Sequence, residues 1–169
     1  MSKEKELRNH RCCFTGHRPE KLNIPEQKIK AALETKIQAA IDDGYKTFIS
    51  GMARGVDIWA AEIVLKYRAM GHPIRLVCAV PYKGFETRWS AEWQERYQFA
   101  LRFADDVKYI CPKYIPNCFQ IRNKWMVDHS SRLIAVYNGA SGGTHNTLNY
   151  AILQKLSVVF AHPHMEGYL

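Results

Sequence analysis

No run in this sequence approaches the ~20 consecutive apolar residues that a membrane-spanning helix requires, so no membrane partner is expected. Residues 1–10 are polar and charged and hold no secretory apolar core, which makes the cytoplasm the expected location. Metal-type cysteine spacing is missing as well. Cys12, Cys13, Cys78, Cys111 and Cys118 form no C-x-x-C pair, and their number, five, is odd. Cys12, Cys13 and Cys78 sit in apolar runs where a thiol behaves as a small hydrophobe, so reduced, buried cysteines and no metal are expected. Internal repeats, low-complexity tracts and linkers are absent too, leaving residues 1–169 as one expected domain, long enough to bury a core. Two familiar phosphate-binding signatures are also lacking: there is no Gly-Lys-Ser/Thr of a Walker A loop and no G-x-G-x-x-G.

What is present is a globular composition, 47% hydrophobic and 24% charged, with a formal net charge of +8. Such a charge sets up a field attractive to anions. The Lys and Arg residues are scattered rather than gathered in one stripe, so nucleic acid is a possible partner that composition does not favour.

Short β-rich runs alternate with helical stretches. Strands are expected at 11–15, 47–50, 74–80, 107–111, 132–137 and 158–161. Helices are expected at 25–43, 56–70, 90–104, 119–131 and 144–155, the first two closed by Gly44 and Gly71. This alternation predicts an α/β fold: a Rossmann-like three-layer α/β/α sandwich with a mostly parallel sheet. In such sheets ligands bind at the carboxyl ends of strands, in the loops leading into helices.

Three loops stand at those strand ends. Thr15-Gly16-His17-Arg18-Pro19 follows the first strand and offers a hydroxyl, an imidazole and a guanidinium suited to phosphate. Ser50-Gly51-Met52-Ala53-Arg54-Gly55-Val56-Asp57 lies between a strand and a helix, so its main-chain N–H groups can point at an anion. Asp57 either caps that helix or meets a ligand, and Glu62 further along either meets a ribose hydroxyl or faces water. Asn138-Gly139-Ala140-Ser141-Gly142-Gly143-Thr144 follows a very apolar strand and has the flexible backbone and hydroxyls of a phosphate cradle. Arg122, Asn123 and Asp128 sit on the helix before the fifth strand, where Arg122 either reaches the ligand or forms a surface salt bridge. Trp89, Trp93 and Tyr97 recur every four residues, a helical stripe that serves as core, as an oligomer contact or as a stacking platform. Tyr82, Lys83 and Phe85 lie on the loop after the third strand, nearer the expected site.

Taken together, Gly16-His17-Arg18-Pro19, the run Ser50-Gly51-x-Ala53-x-Gly55-x-Asp57-x-Trp59-Ala60-Ala61-Glu62, and Gly142-Gly143-Thr144 with Asn146, Thr147 and Tyr150-Ala151 resemble the YpsA-like family of bacterial proteins. That family belongs to the SLOG superfamily, with the DprA/Smf proteins and the LOG, or lysine-decarboxylase-like, phosphoribohydrolases. The resemblance implies a Rossmann-like fold and binding of a nucleotide or nucleotide-derived molecule; it implies no established activity. LOG enzymes use an Arg, which Arg122 resembles, and a Glu after the Gly-Thr, where this chain has Thr147. A threonine supplies no negative charge to an oxocarbenium-like sugar, so hydrolysis would need Glu62 or Asp128 in its place.

Three readings follow. The first is a binding or sensor protein for an ADP-ribose- or NAD-like molecule. In it Gly51, Gly55, Gly142, Gly143 and Thr144 hold phosphate, Gly16, His17, Arg18, Ser50 and Arg122 complete the site, and Asp57 or Glu62 meets a ribose. The second is an N-glycosidic hydrolase with Glu62, Arg122 and Asp128 as catalytic candidates. The third is a module for single-stranded nucleic acid or protein. A homo-oligomer is expected because superfamily members often pair.

Overall fold

A computed structural model describes residues 2–162. In chain order its elements are α1 (Lys3–Arg8), β1 (Arg11–Gly16), a 3-10 turn (Pro19–Lys21), α2 (Glu26–Asp42), β2 (Thr47–Ser50), α3 (Val56–Ala69) and β3 (Arg75–Val80). They continue with α4 (Ala91–Phe103), β4 (Asp106–Tyr109), α5 (Cys118–Asp128), β5 (Arg132–Val136), α6 (Gly143–Leu153) and β6 (Ser157–Phe160). The strands form one six-stranded sheet, every neighbouring pair parallel, in the order β4-β3-β2-β1-β5-β6. The expected α/β sandwich is therefore present, and its sheet is wholly parallel.

Burial follows strand position. The middle residues of β1 and nearly all of β5 are buried, as strands covered on both faces must be, whereas the edge strands β4 and β6 have no buried residue. Successive side chains of β1 divide between two cores. Cys12 and Phe14 pack among residues of α2, α3 and α4, and Cys13 packs with Met126 and Val127 of α5 and Leu148 and Ala151 of α6. All five cysteines are free and buried. Among the described residues, no helix is long and apolar enough to cross a membrane.

Helix α2 buries Ile29, Leu33, Ile37 and Ala40, one stripe at helical spacing. It ends in a Schellman motif: Gly44 has φ +94°, its N–H donates to the Ile41 carbonyl, and the Tyr45 N–H donates to that of Ala40. Gly71 closes α3 in the same way. At the end of α6 the left-handed position is held by Lys155 (φ 63°), with the Leu156 N–H donating to the Ala151 carbonyl. No glycine marks that stop. Helix α1 has no buried residue and is held by its polar groups, with Arg8 donating to the Ser130 carbonyl and Glu4 accepting from Arg11.

The order of the strands positions the site. From β1 the chain steps outward through β2 and β3 to β4, then crosses back to place β5 on the other side of β1. The connections reverse direction between β1 and β5, and the crevice at such a switch point is where open α/β sheets bind ligands.

Candidate functional site

A cleft of about 320 Å³ opens at this switch point. It is lined by the carboxyl end of β1 (Phe14, Thr15, Gly16) with His17, Arg18 and Lys21 after it. The opposite walls come from Ala53, Arg54 and Asp57 of the second loop, Arg122 and Asn123 of α5, and Ser141, Gly142, Gly143 and Thr144 at the start of α6. Phe85, Trp89 and Phe119 complete it with an aromatic side. The three loops singled out from sequence thus converge on one space.

At the first loop, Gly16 is required by packing. A Cβ there would lie 2.4–2.7 Å from three side-chain carbons of Val56, so the absence of a side chain lets β1 meet the first turn of α3. His17 is buried, its ring stacked on Tyr137 with centroids 5.6 Å apart, and its Nε2 has no hydrogen-bond partner. Burial, and then the charge of Lys21, push its pKa below the ordinary histidine value, which keeps the imidazole neutral near pH 7. Arg18 and Lys21 stand exposed at the rim, while Arg54 is paired with Glu20.

The second loop is organised around a buried Asp–Arg couple. Ser50 lies outside the cleft wall: its hydroxyl donates to the Asp57 carbonyl at 2.7 Å and accepts from the Met52 N–H at 3.2 Å. Met52, fully buried, takes φ 62°, a left-handed conformation that costs a non-glycine residue about 1 kcal/mol or more. Gly51 and Gly55 do not line the cleft either. A Cβ on Gly51 would sit 2.9 Å from both the Arg122 guanidinium and Asp57 Oδ2, and one on Gly55 (φ +91°) would sit 2.9 Å from Pro19 Cδ. Both glycines let the loop close tightly on its neighbours, and it is Ala53, Arg54 and Asp57 that bring this loop to the cleft.

Asp57 lines the cleft from the first turn of α3 but does not cap it. The N-cap is Gly55, without a side-chain bond, and Asp57 Oδ2 instead accepts the Ala53 N–H at 3.3 Å. Burial lifts the Asp57 carboxyl to about 6, against the pull of Arg122, and desolvation in turn lowers the pKa of buried Arg122. The Arg122 guanidinium donates to the Gly51 carbonyl and, through Nε, to Asn123 Oδ1 at 2.8 Å. It is an interior tie between α5 and the second loop as well as part of the cleft wall, and no surface salt bridge.

The third loop carries the open backbone. Gly142 (φ +134°) is the N-cap of α6, no side chain caps this helix, and a Cβ on Gly143 would meet nothing within 4 Å. Thr144 is buried in the cleft wall. Around the loop, the Tyr137 hydroxyl hydrogen-bonds His145 Nδ1 at 2.8 Å, and Asn138 Oδ1 accepts the Ala140 N–H at 2.9 Å. The bare end of α6 thus faces the cleft with exposed main chain and partial positive charge.

Two other candidates lie elsewhere. Glu62 is bound to Arg96, which also grips Glu26, with Lys30 at 3.6 Å; this cluster ties α2, α3 and α4 together away from the cleft. Asp128 accepts the Tyr150 hydroxyl at 2.6 Å and lies outside the cleft. Thr147 is buried, and its hydroxyl donates to the Gly143 carbonyl at 2.8 Å. Asp57 is the sole carboxylate among the lining residues.

The aromatic stripe divides. Tyr97 is core, Trp93 packs on Trp59 and under the Arg96 guanidinium, and Trp89 precedes α4 to form the cleft wall with Phe85, ring centroids 4.8 Å apart. Sequence reasoning missed Phe119 and Lys21. Phe119 opens α5 next to Cys118, and only the packing of α5 beside the second loop brings it to the cleft. Lys21 had a findable signal, a cation shortly after the Gly-His-Arg-Pro turn.

Fold and site together define a Rossmann-like α/β protein with a basic, partly aromatic cleft at its switch point. The chain belongs to the YspA SLOG family, whose model matches residues 12–158. UPF0398 proteins of Bacillus thuringiensis (strain Al Hakam) and Bacillus cereus (strain AH187) are each 30% identical to it, over 77% of this chain and 75% of theirs. Among solved structures it is similar to DNA processing protein A from Helicobacter pylori, described for its single-stranded DNA binding mode, with TM-score 0.60 and 18% identity over 95% of this chain and 68% of that one. It is also similar to TM1055, with TM-score 0.56 and 13% identity over 88% of this chain and 71% of that one. Both likenesses are of fold, and both fit the SLOG superfamily.

Proposed function

We propose that the cleft binds a nucleotide or nucleotide-derived small molecule of the ADP-ribose or NAD kind. One observation carries the reading: a single cleft joins the uncapped end of α6, a basic rim of Arg18 and Lys21, and an aromatic wall of Phe85, Trp89 and Phe119. A phosphate suits the first two, through main-chain N–H donors, helix dipole and guanidinium. A base suits the third, by stacking. Thr144 and neutral His17 offer hydrogen bonds between them. The phosphate site centres on Gly142, Gly143 and Thr144, with Arg122 as positive floor.

A hydrolytic reading is weaker. It needs an ionised carboxylate beside the sugar, and Glu62 and Asp128 are engaged elsewhere, leaving buried Asp57, whose carboxylate is already taken by the Ala53 N–H. Binding is tested by thermal shift and calorimetry with nucleotides, ADP-ribose, NAD and single-stranded oligonucleotides. A ligand at about 100 times its Kd stabilises the fold by about 2.7 kcal/mol. Gly143→Val, which has room for its side chain, is expected to remove the shift and keep the unliganded Tm near wild type. Undiminished affinity in that variant overturns the phosphate assignment. A response to oligonucleotides alone, falling steeply with salt, replaces the small-molecule reading with nucleic-acid binding.

A further inference from the structure

A second, smaller pocket of about 140 Å³ lies between α5 and α6. Two residues, Asn123 and Gly143, line both this pocket and the main cleft. Gly143 has no side chain and open space where one would be, so at the first turn of α6 bare main chain borders both spaces. That turn is where a phosphate would rest. A group attached to the far side of such a phosphate has this pocket as its neighbouring hollow.

We propose that the pocket between α5 and α6 is a subsite for a hydroxyl-rich sugar joined through phosphate to the nucleoside in the main cleft. This rests on the nucleotide reading of that cleft and adds what the ligand carries beyond its phosphates. The lining is made of carboxamides (Gln120, Asn123, Asn146) and the Lys124 ammonium, and no carboxylate is among it. Carboxamides donate and accept side by side, which matches neighbouring hydroxyls of a sugar. Asn123 is already oriented, because its Oδ1 accepts the Arg122 Nε–H at 2.8 Å and the other end of the amide is left to donate.

The same lining argues against a second base. Its one aromatic residue, Tyr150, has the Lys124 ammonium 5.5 Å over its ring and gives its hydroxyl to Asp128. One face of that ring is taken. Size agrees, since 140 Å³ is the space of roughly four or five water molecules, a hydration cluster that sugar hydroxyls can replace. Thr147 contributes shape here, because its hydroxyl is spent on the Gly143 carbonyl.

The test is calorimetry on the full chain with ADP and ADP-ribose, which share the adenosine diphosphate and differ by the terminal ribose. Wild type is expected to bind ADP-ribose about 10-fold tighter than ADP, the worth of one or two good hydrogen bonds. Gln120 and Asn146 are exposed on helices, so Gln120→Leu and Asn146→Leu leave the fold intact. Each is expected to shrink the preference toward unity and leave ADP affinity unchanged. Equal affinities in wild type, a preference that survives both substitutions, or an equal loss for both ligands overturns the subsite while the nucleotide reading stands. Failure of ADP, ADP-ribose and other nucleotides alike to bind overturns that reading and the subsite with it.

Discussion

The approach of β1 to α3 across Gly16 is the tightest glycine contact among the described residues. In Gly16→Ala the new methyl would lie 2.4 Å from Val56 Cγ2, 2.5 Å from its Cβ and 2.7 Å from its Cγ1. Carbon atoms rest at about 3.5–4.0 Å, so the strand end and the first turn of α3 must part by about 1 Å. Rotating Val56 does not help, because its Cβ is itself in the way and a β-branched chain has few rotamers. Overpacking of a core costs about 1–3 kcal/mol, and a clash without a rotamer escape belongs at the upper end. In a protein of this size ~3 kcal/mol lowers Tm by roughly 6–12 °C. Urea unfolding followed by tryptophan fluorescence reads the free energy directly. Val56→Gly removes all three clashing atoms, so in that background Gly16→Ala is expected to cost about 0.5 kcal/mol or less. A Gly16→Ala protein within about 0.5 kcal/mol of wild type, or an equal cost in both backgrounds, refutes the packing role. The parted helix start also carries Asp57, so nucleotide affinity should fall in Gly16→Ala along with stability.

Arg96, mostly buried between Glu26, Glu62 and the Trp93 ring, clamps three helices. Arg96→Met should destabilise by about 2 kcal/mol, less than a fully buried pair because Glu26 is 40% exposed, and a neutral effect in urea unfolding removes the clamp. Asp57 binds its proton more tightly folded, at about 6, than unfolded, near 3.8. Between those values the native state holds more protons, so stability falls as pH rises through this window and is level on either side, by up to ~3 kcal/mol. Asp57→Asn should flatten that slope; a slope unchanged by the substitution assigns it to other groups. Burial pushes the thiols of Cys13 and Cys78 up to about 12, and that of Cys12 well above its usual value. Iodoacetamide at pH 8 should therefore spare these three in the native protein and label them after urea unfolding, and rapid native labelling would contradict their burial.

Much of the fold was legible. The alternation of apolar runs with helical stripes located every strand of the sheet and five helices to within a few residues, because side-chain periodicity and burial impose these patterns locally. Gly44 and Gly71 marked helix ends because a left-handed residue is needed there. Helix α1 left no such trace: it buries nothing, and the bond from Arg8 to the distant Ser130 carbonyl and the pair of Glu4 with Arg11 hold it. The stop at Lys155 was equally silent, since a lysine carries no signal of positive φ.

At the site, local sequence could say that three loops at strand ends were able to meet an anion. It could not say which glycines are crowded by their neighbours and which stand open. Gly16, Gly51 and Gly55 are needed because Val56, Arg122 and Pro19 crowd them, and Gly143 is different because nothing does. Arg122 reaches Gly51 across 71 positions, and Glu62, on the helix that carries Asp57, turns to Arg96 instead of the cleft. The sequence by itself determined the elements and the strand ends where chemistry could occur, because backbone sterics and amphipathic periodicity act over a few residues. Only the tertiary structure decided which of those ends face one another, since strand order and side-chain competition for buried partners depend on contacts between segments far apart in the chain.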